Sequence, residues 1–229
     1  MRLHRPIFVT GCPRSGTSMM AGILQLSGCP GGVMNKMFEN IAIRDSISKS
    51  YLLRLGIDLE GQYPLEKKAN LRLPSMEARV LHILKRQNVT DITWFYKDSR
   101  LLLAWEYWNA MFPGARWIIV QREEADVLTS CEKTGWMSAY KRRDVLEKLG
   151  YQTATEGWKY WYAFYQNKIE EVLNTCPFVR VICLDKLLDG DYTELQILLA
   201  DVGLTWNQET TKEFIELKLW KSIKKRSEQ

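Results

Sequence analysis

Histidine is nearly absent from this chain: of 229 residues, His4 and His82 alone carry an imidazole. That scarcity argues against a Ser-His-Asp mechanism and against histidine-rich metal sites, so no metal is expected to be required. The five cysteines, at positions 12, 29, 131, 176 and 183, are odd in number and form no Cys-x-x-Cys pair. Neither a disulfide framework nor a zinc site is therefore expected, and reduced thiols suffice. No apolar run approaches the roughly 20 residues of a membrane span. Repeats and low-complexity linkers are missing too, so one domain over residues 1–229 is expected, with 46% hydrophobic residues able to bury a full core. The informative loop described below begins too near Met1 for a signal peptide to precede it, and a cytoplasmic location is the expectation unless an N-terminal anchor has been removed.

The net charge of +5 is modest but uneven, because Lys218 to Arg226 holds five cations against no acid. This pattern suits an anionic ligand better than wholesale nucleic-acid binding.

What is present begins at Pro6. A β-branched stretch, Ile7-Phe-Val-Thr10, runs into Gly11-Cys-Pro-Arg-Ser-Gly16-Thr17-Ser18 and then into a helical pattern. Glycines in such a loop let successive backbone N–H groups converge on an anion, and the helix adds its unsatisfied donors and the positive end of its dipole. The spacing fits the nucleoside-triphosphate loop G-x-x-x-x-G-K-[ST] except that Thr17 stands where the lysine belongs. Its cation comes earlier, at Arg14 after the stiff Pro13, which suits a shorter anionic group lying directly on the loop.

Downstream, the periodicity predicts helices over 17–27, 38–55, 75–88, 101–111, 123–131, 157–173 and 192–199, and strands over 92–96, 116–121 and 178–184. Alternation of this kind predicts an α/β, P-loop-like three-layer fold with a central, mainly parallel sheet flanked by helices. In such sheets ligands lie beyond the carboxyl ends of the strands. The loop at 11–18, Lys97 and Arg122 each follow a predicted strand, so three pieces of anion-friendly chemistry converge on one sheet edge.

Three separated motifs resemble the sulfotransferases that use 3′-phosphoadenosine 5′-phosphosulfate. The loop Gly11 to Ser18 is similar to the 5′-phosphosulfate loop in the form found in tyrosylprotein and carbohydrate enzymes. Trp117-Ile-Ile-Val-Gln-Arg122, with Ser130 eight residues on, resembles the strand and helix that hold the 3′-phosphate. Tyr96-Lys-Asp-Ser-Arg100, followed by Phe112-Pro-Gly-Ala-Arg116, resembles the Lys-Asp-Pro segment and its lead into that strand. The resemblance covers residues 6 to about 131, with a weaker echo over 179–204.

It implies an enzyme moving a sulfuryl group from that donor to a hydroxyl-bearing acceptor, whether alcohol, saccharide or phenol. Arg14, Ser15, Gly16, Thr17 and Ser18 would hold the 5′-phosphate, and Arg122 and Ser130 the 3′-phosphate. By itself Lys97 reads as a lysine ending a strand; the resemblance makes it the cation that stabilises the leaving oxygen, with Arg14 neutralising the phosphate beside it. Asp98 reads as a helix-capping or lysine-orienting acid. Glu39 corresponds in position to the base of the tyrosylprotein enzymes, and otherwise it is a first-turn glutamate complementing a helix dipole. Glu60 and Glu66 are substitutes for that base. Trp158, Trp161 and Tyr162 are core residues of which one or two could flank adenine or acceptor, and Lys221, Lys224 and Lys225 could close over the 3′-phosphate. The alternatives are a P-loop nucleotide or metabolite kinase, with Asp185 ending a magnesium-binding strand, and a non-catalytic polyanion-binding module.

Overall fold

The computed structural model describes residues 4–68 and 75–216. Lys221, Lys224 and Lys225 lie outside the described residues. Four parallel strands, β1 (Ile7–Thr10), β2 (Phe95–Lys97), β3 (Arg116–Gln121) and β4 (Val179–Cys183), form one sheet in the order β2-β1-β3-β4. The α/β architecture with a parallel sheet between helical layers is as the alternation predicts.

Strand periodicity sorts the core into two layers. Ile7, Val9, Ile118 and Val120 point to one side and meet α1 (Thr17–Leu26), α9 (Leu184–Leu188) and α10 (Thr193–Asp201) through Met20, Ile23, Leu187, Leu195 and Leu198. Phe8, Tyr96, Trp117 and Ile119 point to the other, much more aromatic side. There Phe8 is ringed edge-on by Trp117, Trp108, Phe112 and Trp94, with ring centroids 5.0 to 6.2 Å away, the geometry aromatic quadrupoles prefer. This layer packs on α3 (Lys49–Leu55), α4 (Met76–Arg86), α5 (Trp105–Met111), α6 (Glu124–Lys133), α7 (Arg143–Leu149) and the long α8 (Ala154–Thr175). Thr153 and Glu156 close a capping box at the start of α8. No helix among the described residues is long and apolar enough to cross a membrane.

Several predicted boundaries move for identifiable reasons. The helix expected from residue 38 starts at α2 (Ile41–Ile43), because Phe38 takes a left-handed φ of 60° and the Asn40 side chain accepts from Ile43 N–H at 3.1 Å. It then widens into a π-turn over Arg44–Ser48 before α3. Ser75 is left-handed and makes no side-chain cap, so the helix predicted there begins at Met76 without it. The 101–111 helix opens as a 3₁₀ segment, Ser99–Ala104, tightened where the Asp98 carboxylate accepts from Arg100 N–H at 3.0 Å. Helices α7, α9 and the helical residues 208–216 were not anticipated. The first buries one hydrophobic residue, Val145, and the second is a five-residue continuation of β4, so neither leaves a periodic trace.

Candidate functional site

Because the strands are parallel, their carboxyl ends share one edge. Val9 pairs with Lys97 and Thr10 with Ile119, so the loop after β1 lies between the end of β2 and the end of β3. The three predicted pieces of the site therefore do converge.

The loop is shaped by close approaches. A Cβ on Gly11 would stand 2.3 Å from the Val120 carbonyl oxygen, and one on Gly16, whose φ is 95°, would stand 2.5 Å from Leu184 Cδ2. Neither position accepts a side chain without movement. Arg14 is itself left-handed at φ 76°, a conformation that costs a residue with a Cβ. Ser15 and Thr17 are buried, and Ser15 Oγ has no hydrogen-bond partner among the described residues. Thr17 and Ser18 form the first turn of the ten-residue α1, whose leading N–H groups face the same loop.

Arg14 Nε donates to Ser130 Oγ at 2.9 Å, tying the loop to α6. The sequence assigns these two residues to different ends of one ligand; the structure joins them directly. Burial lowers the Arg14 pKa, with Cys131 opposing and Arg122 adding to the drop. Arg14 makes no ion pair among the described residues. Arg122 is paired with Asp126 at 3.3 Å through one terminal nitrogen, while its Nε is buried and lacks a partner. Two guanidiniums that repel each other and a stranded hydroxyl make an environment that an anion would relieve.

The other half of the site is an ion cluster. The segment 33–41 folds back on itself through the Met34–Asn40 bridge, with Asn35 Oδ1 accepting from the N–H groups of Met37 and Glu39. Glu39 Oε2 then receives Asn35 Nδ2 at 3.0 Å and Arg44 Nη1 at 3.4 Å. Its Oε1 faces Lys97 Nζ at 3.2 Å and Arg100 Nη2 at 3.7 Å. Lys97 is 4% exposed, so it is not the surface lysine its strand-end position suggests. Beneath it, Asp98 is buried and accepts from Arg100 Nε at 2.8 Å and from Tyr96 Oη at 2.9 Å. Burial alone would raise the Asp98 pKa, but Arg100, through its charge and hydrogen bonds, and Lys97 hold it below the usual value. Burial drives the Tyr96 phenol well up, and Asp98 adds to this, so its proton stays in place. Asp98 is thus both the cap of the 3₁₀ segment and the partner of Arg100.

The remaining expectations divide. Glu60 touches the rim of the cluster, 3.0 Å from Lys49 Nζ and 3.9 Å from Arg100 Nη1. Glu66 instead accepts from Tyr160 Oη at 2.8 Å and lines a concavity of about 520 Å³ together with Leu103, Glu106 and Lys168, to which the 11–18 loop, Lys97 and Arg122 contribute nothing. Trp158 and Trp161 are fully buried, the latter donating to the Gly61 carbonyl at 2.9 Å. These two belong to the core, which leaves the half-buried Tyr162 as the member of the three open to a ligand. Asp185 lies in the first turn of α9, past the end of β4 at Cys183, and its Oδ2 accepts from the Glu123 N–H at 3.2 Å, so it does not end a strand as the magnesium-strand reading expects. Sequence reasoning missed Arg44, Arg100, Asn35 and Ser48 as parts of the cluster. Arg100 left one trace, a cation immediately before the apolar run Leu101-Leu-Leu103.

Comparison with known proteins bears on the family and the fold. A family profile described as "Sulfotransferase family" matches residues 6–208. Among solved structures the chain is similar to a sulfotransferase from Alicyclobacillus acidocaldarius, at 14% identity over 90% of this chain and 82% of that one, with a TM-score of 0.54. It is also similar to the sulfotransferase STF1 from Mycobacterium tuberculosis H37Rv, at 14% identity over 94% and 71% of the two chains, with a TM-score of 0.46. No curated protein matches the chain significantly.

Proposed function

We propose that this chain, which belongs to the sulfotransferase family, moves a sulfuryl group from 3′-phosphoadenosine 5′-phosphosulfate to the hydroxyl of an acceptor. The observation that carries the donor assignment is the pair of buried, unpartnered donors, Ser15 Oγ and Arg122 Nε, on either side of an Arg14 that has no carboxylate partner among the described residues. The donor supplies an activated sulfuryl group on a phosphosulfate anhydride.

The chain supplies position and charge. The loop amides and the Ser15, Thr17 and Ser18 hydroxyls would hold the 5′-phosphate, with Arg14 balancing its charge. Arg122 would offer its guanidinium to the 3′-phosphate, and Ser130, already the partner of Arg14, would add a hydroxyl. Lys97 presents its amine at the end of β2, where negative charge would build on the leaving side. Glu39 would take the proton from the acceptor hydroxyl, its carboxylate fixed between Lys97 and the Asn35 amide.

Adenosine 3′,5′-bisphosphate should raise the melting temperature without magnesium, by an amount worth about 2.7 kcal/mol at a hundredfold excess over Kd. AMP should give a smaller rise. No response to the bisphosphate, with a clear one to ATP and magnesium, would make the chain a kinase instead. A screen of alcohols, saccharides and phenols with isotopically labelled donor, read by mass shift, then identifies the acceptor.

A further inference from the structure

We propose that Arg100 is a positioning residue that fixes the Glu39 carboxylate through a buried chain of polar groups running back to Ser48. The inference rests on the reading of Glu39 as the proton acceptor. Arg100 is 8% exposed, and burying a guanidinium is costly unless its whole edge is satisfied. Two of its three nitrogens are hydrogen-bonded here, and the third is within ion-pair distance of a carboxylate. Nε donates to Asp98 Oδ1 at 2.8 Å, Nη1 donates to the Leu59 carbonyl at 3.0 Å, and Nη2 lies 3.7 Å from Glu39 Oε1.

Behind Arg100 stands Asp98, 1% exposed, whose second oxygen accepts from Tyr96 Oη. Since the Tyr96 proton goes to Asp98, the 2.8 Å contact between Tyr96 Oη and Ser48 Oγ has serine as the donor. Ser48 ends the π-turn whose first residue is Arg44, so that irregular turn sets both the far anchor of the chain and a second cation on Glu39. The chain is also bolted to the phosphate loop. Asp98 N–H donates to the Val9 carbonyl at 3.1 Å, and Thr10 Oγ1 donates to the Asp98 carbonyl at 3.0 Å, one residue before Gly11.

The other cations on Glu39 are held differently. Lys97 ends a flexible stem with rotatable donors and is needed on the donor side of the site. Arg44 gives Nε and Nη2 to Asp45 at 2.8 and 2.9 Å, and its Nη1 reaches the other carboxylate oxygen, Glu39 Oε2, at 3.4 Å. Once Lys97 turns to a negatively charged ligand, Arg100 is the cation still held in place beside Glu39 Oε1.

The test is a double-mutant cycle of Arg100→Lys with Glu39→Gln, reading release of adenosine 3′,5′-bisphosphate from the phosphosulfate donor. Acceptors are p-nitrophenol, N-acetylglucosamine and water. Arg100→Lys keeps the charge and loses the fork, and it should lower kcat by about 10- to 100-fold. Donor KM and the melting shift with the bisphosphate should not change. In the Glu39→Gln background the same substitution should cost almost nothing, because the group it positions is already gone. An equal fold-loss in both backgrounds, or a matching loss of bisphosphate affinity, would show a general structural role and overturn the proposal.

Tyr96→Phe removes a single hydroxyl from the same chain and covers the case in which Arg100→Lys does not fold. It should lower kcat roughly threefold, again only while Glu39 is present; no loss, or a loss independent of Glu39, refutes the chain. Turnover surviving Glu39→Gln alone would overturn the base assignment itself, a result visible before any Arg100 variant is made.

Discussion

The two halves of the candidate site are built on opposite principles. At the end of β1 and β3, donors are left over: Ser15 Oγ and Arg122 Nε are buried without partners, and Arg14 leans on a neutral serine. At the end of β2 nothing is left over, since Glu39, Lys97, Arg100, Asp98, Tyr96 and Ser48 satisfy one another. A half-empty polar site stores binding energy for an anion at the expense of the free protein's stability, whereas a closed network is rigid before any ligand arrives. On the proposed function, the contrast would give binding to one half and proton handling to the other.

The sharpest way to break this contrast is Glu39→Gln. It should lower kcat about 10²- to 10⁴-fold while the bisphosphate still binds with its original Kd. A loss of nucleotide affinity as large as the loss of turnover would mean the two halves are not separable. Next in size is Asp98→Asn, which leaves the buried Arg100 without its carboxylate and should destabilise the fold by about 3 kcal/mol at pH 7. Because the folded Asp98 pKa lies below its unfolded value, its contribution is fully present above about pH 5 and is lost as pH falls through the folded pKa. Urea midpoints of wild type and variant should therefore converge toward pH 3 and below; a constant gap would place the effect elsewhere.

Arg122→Ala should weaken the bisphosphate by roughly 10- to 100-fold, the worth of one or two charge-assisted hydrogen bonds, and leave AMP nearly untouched. Equal losses for both nucleotides, measured by calorimetry, would take Arg122 off the 3′-phosphate. The smallest effects sharpen the comparison by sign. Ser15→Ala removes an unpartnered buried hydroxyl, so the free protein should gain a few tenths of a kcal/mol while bisphosphate affinity falls roughly fivefold. Ser48→Ala removes a bonded one and should cost about 1 kcal/mol of stability with no change in nucleotide affinity. Matching signs in the two variants would erase the distinction between open and closed halves.

The strand-loop-helix at 7–26 was legible in the sequence because its signal is local. A strand, two glycines, Arg14 and two hydroxyls within a dozen residues dictate a backbone shape almost regardless of the rest of the chain. The strand ends carrying Lys97 and Arg122 were legible for a related reason, since alternating strands and helices place all carboxyl ends on one edge. The aromatic run in α8 was harder to place. Trp158, Trp161 and Tyr162 cover several faces of a helix, and only packing against the sheet decides which of them are sealed away.

From the sequence alone follow the α/β architecture, the glycine-flanked loop, its missing lysine and the cations beside it, all set by local periodicity and by contiguous motifs. Tertiary structure decided what those groups do to each other. Lys97 meets Glu39 across 58 positions and Arg14 meets Ser130 across 116. Pairings over such separations depend on which strands lie side by side and on which charges must be neutralised once buried. Those are properties of the packed interior that no stretch of the chain carries on its own.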